Sequence, residues 1–98
     1  MTLVPGHFPE EQQEVLREVA LAYRRVMRAP QEPAVTRAEI SRRDQKRQSE
    51  ALAAATAEFL RLNPSARYDR LAVPGEVNRM IAAAINADPQ WFWHGPDA

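Results

Sequence analysis

At 98 residues the chain is sized for a single domain, burying roughly 60–65% of its unfolded surface around a modest core. It contains no cysteine, which excludes disulfides, thiolate metal ligands and a cysteine nucleophile. Its 13 basic side chains balance 13 acidic ones, so any contact with nucleic acid or acidic lipid requires a local patch rather than net charge.

Residues 1–8 form an irregular lead-in with Pro5 and Gly6. The start has neither a basic n-region nor an apolar h-region, and the strongest apolar run, Met80–Ile85, falls far short of the ~20 residues that a membrane span needs. The expected compartment is therefore the cytoplasm, with no membrane contact.

The first helix is expected over 9–28. Pro9 suits a first helical position, where its missing N–H costs nothing. Glu10, Glu11 and Glu14 then complement the positive end of the helix dipole, and Arg24, Arg25 and Arg28 its negative end. Leu16, Val19, Tyr23 and Val26 recur at spacings of three and four and form the apolar stripe, with Met27 beside it.

Pro30 and Pro33 mark a connection. Thr36 followed by Glu39 reads as a capping box, opening a long helix over 37–62 that Asn63-Pro64 stops. Its halves differ. Residues 37–50 are polar apart from Ile40, whereas Leu52, Ala55, Phe59 and Leu62 make a stripe in the second half.

A connection follows, carrying Tyr68, Leu71 and Val73, with a turn at Ser65. The third helix is expected over 75–87, from Val77, Met80, Ile81, Ala84 and Ile85. Asp88-Pro89 then caps a final turn bearing Trp91, Phe92 and Trp93, closed by Gly95 and Pro96. No strand alternation and no internal repeat is present. The expected fold is all-α, a small bundle of three or four helices in one domain (1–98), with a long central helix and an aromatic C-terminal turn.

Chemistry-bearing patterns are sparse. His7 and His94 have no carboxylate or second histidine at helical ligand spacing, so no metal site is expected. The serines lack a nucleophile elbow, and the three glycines stand apart, so no phosphate-cradling loop exists. Neither a cofactor, a small-molecule substrate nor catalysis is expected.

Two surfaces remain. Arg42, Arg43, Lys46 and Arg47 stack at i and i+4 into a positive face suited to phosphate contacts, but with no aromatic for base stacking. The second surface follows from a mismatch. A short connection makes the first two helices antiparallel, so Tyr23, Val26 and Met27 face a polar half-helix with little beyond Ile40 to meet them. Their cover must come from the aromatic tail, a second copy of the chain or another protein. Trp91, Phe92 and Trp93 cannot all point one way, so Trp91 or Trp93 is also a candidate contact. The expected function is non-catalytic binding or assembly through helix faces at Tyr23, Val26, Met27, Trp91 and Trp93, with a protein partner or a homo-oligomer. The alternative is nucleic-acid binding or regulation through Arg42, Arg43, Lys46 and Arg47.

Overall fold

The computed structural model describes residues 10–65 and 72–95, and within them finds four α-helices and no strand. They are α1 (Glu10–Arg28), α2 (Arg37–Leu62), α3 (Val73–Ala87) and α4 (Pro89–His94). The lead-in with His7 and Pro9, the connection residues Tyr68 and Leu71, and Pro96 lie outside the described residues.

Local chemistry sets the helix ends. The Thr36 hydroxyl accepts from the Glu39 N–H at 3.1 Å. The Glu39 carboxylate reaches back to the Val35 N–H, also at 3.1 Å. The first bond satisfies a donor that the first turn of α2 would otherwise leave unpaired, and the second ties Glu39 to the residue just before the N-cap. At the other end both the backbone N–H and the side-chain amide of Asn63 donate to the Phe59 carbonyl, at 2.9 and 3.1 Å, and Pro64 stops propagation. Asp88 serves two helices. Its N–H closes α3 on the Ala84 carbonyl at 3.0 Å, and its carboxylate accepts from the Trp91 N–H of α4 at 3.0 Å. Gly95 ends α4 with its N–H on the Trp91 carbonyl at 2.8 Å. A Cβ there would collide with that carbonyl, so the close approach requires glycine.

α3 begins at Val73, two residues before the start at 75 that the sequence suggests. Val73 is buried in the core, and Pro74 in the first turn costs no hydrogen bond. Burial of Val73 therefore extends the helix into what reads as linker.

The core lies at one end of the molecule. Leu16, Val19 and Ala20 of α1 meet Ala55 and Phe59 of α2, Val73, Val77, Ile81 and Ala84 of α3, and Phe92 of α4. Leu16, Val19, Val77 and Phe92 are fully buried, each stabilising the fold by on the order of 1.5–3 kcal/mol. Ala51 and Ala55, both 0% exposed, let α1 and α2 approach closely along their seam. Beyond this core the C-terminal half of α1 and the N-terminal half of α2 continue as an antiparallel hairpin. Within 37–50 no side chain is buried, and only Arg43 and Arg47 are half-buried.

Candidate functional site

The core stripe of α1 is rotated from the one expected from sequence. It runs Leu16, Val19, Ala20, Arg24, with Leu21 buried beside it. Tyr23, Val26 and Met27 flank it and are half-buried. Arg24 is only 3% exposed. Its guanidinium, four residues on from Ala20, enters the interior and donates to the carbonyls of Phe92 at 3.1 Å and Trp91 at 3.4 Å. Arg28, one turn further, donates to the Trp93 carbonyl. These arginines therefore serve the last carbonyls of α4, where a positive charge is favoured, rather than the end of their own helix.

That clamp seats the aromatic turn. Phe92 points into the core, while Trp91 and Trp93 diverge to either side and remain half-buried. Phe92 and Trp93 meet edge-on at 4.9 Å between centroids and 84° between planes. Tyr23 tilts against both, 5.9 Å from Phe92 and 6.2 Å from Trp93. The tail is thus what covers Tyr23. Loss of hydration there raises the Tyr23 hydroxyl above its ordinary pKa of 10.0. Trp91 and Trp93 pack against the core and each keeps part of its surface open.

Val26 and Met27 lie beyond the reach of that cover, on the two sides of the hairpin. On one side Met27 and Ile40 border an open groove of about 750 Å³, with Ser41, Gln45 and Gln48 on its rim. Through Gln45 and Gln48 the groove continues into a second hollow of about 340 Å³, bounded by Tyr23, Leu52 and Asn78. Its apolar side chains come from both helices: Met27 and Tyr23 stand one turn apart on α1, Ile40 and Leu52 three turns apart on α2. Ile40 is 36% exposed. The charged groups of the groove are Arg37, Asp44 and Arg47, so it is close to neutral.

The other side is cationic. A cleft of about 590 Å³ runs between the last turn of α1, the connection and α2. Val26, Ala29 and Pro30 provide its apolar wall, and Arg25, Arg42 and Lys46 its charge. The four expected basic residues separate here. Arg42 and Lys46 are exposed. Arg43 and Arg47 instead turn to the connection, donating to the carbonyls of Glu32 (3.2 Å for Arg43) and Ala29. The broad four-cation face is therefore half taken up in fastening the α1–α2 connection. Arg25, absent from the sequence-based set, joins from α1. Its side chain is brought there by the hairpin turn, which no spacing rule reveals.

Among the described residues no group of three or more metal-ligating side chains converges, and His94 is exposed at the end of α4. No described helix is long and apolar enough to cross a membrane. Comparison with family models, curated proteins and solved structures finds no match.

Proposed function

We propose that this is a non-catalytic helical binding protein that acts through protein–protein contacts, with the neutral groove of the α1–α2 hairpin as its docking surface and a second copy of the chain as its occupant. The observation that carries the reading is the division of the apolar groups: the core closes on itself with Phe92 and Arg24, while Met27 and Ile40 are left bordering an open groove. Apolar surface left wet is unfavourable by about 25 cal/mol per Å², so cover is favoured wherever it is available. A second hairpin can supply this cover, since a two-fold arrangement would set Ile40 of each copy against the other's groove. The polar rim of Ser41, Gln45 and Gln48 resembles the rim of an interface, which stays hydrogen-bonded around an apolar centre.

Sedimentation across a concentration series tests this. The wild type should self-associate. Ile40→Asp, at an exposed position, should keep its helical spectrum yet weaken association by about 100-fold or more, because a carboxylate would be desolvated without a partner. A wild type that stays monomeric at every concentration overturns the reading, as does association that Ile40→Asp leaves unchanged.

A further inference from the structure

The cationic cleft on the opposite side of the hairpin has a different chemistry and calls for a different ligand. We propose that it binds an acidic segment of another protein, in which at least two carboxylates flank an apolar side chain. The cleft sets five cations, Arg25, Arg42, Arg43, Lys46 and Arg47, against only two carboxylates, Glu32 and Glu50. Arg43 and Arg47 are held inward by the Glu32 and Ala29 carbonyls. Arg25, Arg42 and Lys46 make no hydrogen bond or ion pair among the described residues and are exposed. One further donor on this wall, the Gln31 side-chain amide, is buried without a hydrogen-bond acceptor, whereas Arg43 Nε already faces the Asp44 carboxylate at 3.6 Å. The cleft is thus rich in donors and short of acceptors, and buried donors gain by finding one.

The apolar wall decides between classes of polyanion. Val26, Ala29 and Pro30 give a ligand side chain a place to leave water, which a sugar–phosphate backbone does not use. The wall offers no aromatic ring on which a base could stack. The inward turn of Arg43 and Arg47 onto the Glu32 and Ala29 carbonyls removes half of the four-cation grip that a phosphate backbone would use. A polypeptide satisfies all of these constraints at once: carboxylates to Arg25, Arg42 and Lys46, and an aliphatic side chain on Val26 and Pro30. The chain's own acidic stretch, Glu10, Glu11 and Glu14, is a poorer occupant. It opens α1, where the positive end of the helix dipole already offsets its charge.

The probe is a fluorescently labelled peptide of alternating Glu and Asp around a central Leu, measured by anisotropy against the full chain. Its controls are the same peptide with Gln and Asn replacing the acids, and a labelled duplex DNA and single-stranded RNA. The acidic peptide should bind in a salt-dependent manner, and Arg42→Glu with Lys46→Glu should weaken it by about tenfold or more. Both side chains are exposed, so the helical spectrum should be unchanged. Arg42→Gln with Lys46→Gln provides a milder variant if charge reversal disturbs folding. Val26→Asp should also weaken binding, whereas Ile40→Asp should not, which separates this cleft from the neutral groove. The proposal is overturned if the acidic peptide does not bind, if the Gln/Asn peptide binds equally, if DNA or RNA binds more tightly, or if the double variants leave affinity unchanged.

Discussion

Phe92 is the side chain through which the aromatic turn joins the core, and its truncation separates the two parts of the fold. It is 0% exposed, and Tyr23, Trp91 and Trp93 pack around its ring. Phe92→Ala removes most of a ring that buries on the order of 150–200 Å². At about 25 cal/mol per Å² that is ~4–5 kcal/mol of burial, within the ~3–5 kcal/mol typical of a buried Phe cut to Ala. A domain of this size has on the order of 5–15 kcal/mol in total, so the loss is a large share. It should not fall evenly. α4 has six residues and, being far below the length at which isolated helices persist, depends on Phe92 and the Arg24 clamp. α1 and α2 still share Leu16, Val19, Ala55 and Phe59.

Both tryptophans of the chain lie in α4, so indole fluorescence in urea reports the turn while circular dichroism reports chiefly α1 to α3. With a urea slope of roughly 1.5 kcal/mol per molar, a loss of ~3–5 kcal/mol lowers the midpoint by about 2–3 M. The fluorescence transition of Phe92→Ala should fall by that much or be complete without denaturant, and the dichroism transition should fall less. Val35→Ala, at a side chain 88% exposed, serves as control and should stay within about 0.5 kcal/mol of wild type. If Phe92→Ala moves neither transition beyond that control, α4 does not close the core as described.

Arg24→Met keeps the aliphatic stem but removes the donors. Because the Phe92 carbonyl loses this donor in the interior, while the Trp91 carbonyl keeps the Gly95 N–H, stability should fall by about 1–3 kcal/mol in the same fluorescence-detected melt; a Met variant as stable as wild type refutes the clamp. For Tyr23, burial favours the neutral phenol, so its pKa in the folded state lies above 10.0. Stability from this group is complete below the unfolded value and is lost as pH rises through the folded one. In a Tyr68→Phe background, phenolate absorbance of the native protein should appear later than that of the urea-unfolded chain, and Tyr23→Phe should abolish the signal.

The elements that announce themselves in the sequence do so through local chemistry. Thr36 with Glu39, Asn63-Pro64 and Asp88-Pro89 each act within one helical turn, so the ends of α2 and the presence of α4 can be read without knowing the fold. The face of α1 is harder. Taking Leu16, Val19, Tyr23 and Val26 as the stripe fits the period, yet the buried set is Leu16, Val19, Ala20 and Arg24. A signal existed: Leu16, Ala20 and Arg24 are spaced by four, and an arginine in line with a core stripe must find acceptors inside. What no local rule supplies is the acceptor, which lies 67 and 68 residues away at Trp91 and Phe92. The same holds for Arg43 and Arg47. Spacing places them on one helix with Arg42 and Lys46, but the carbonyls that turn them inward belong to the connection folding back beside α2.

The hairpin differs from the rest of the molecule in how its polar groups are used. At the core end every helix contributes apolar side chains, and the one buried charge, among the described residues, is answered by carbonyls. At the hairpin end α2 meets α1 with arginine and glutamine, and the junction is made by Arg43 and Arg47 bonding to backbone rather than by burial. Exposed hydrogen bonds of this kind contribute little net free energy. The hairpin therefore owes its helicity to the capping box and to continuity with the α2 segment packed on the core, where Ala51, Ala55 and Phe59 anchor it. A helix held at one end and left uncovered along its other half presents backbone-rigid side chains to solvent at fixed spacing. That is the arrangement that lowers the ordering cost of binding. The neutral groove and the cationic cleft share α2 as their common wall, one on each side, so Ile40→Asp and Arg42→Glu act on opposite faces of a single preorganised rod. Their effects should therefore add with little coupling, and strong coupling between them would mean that both ligands contend for one surface.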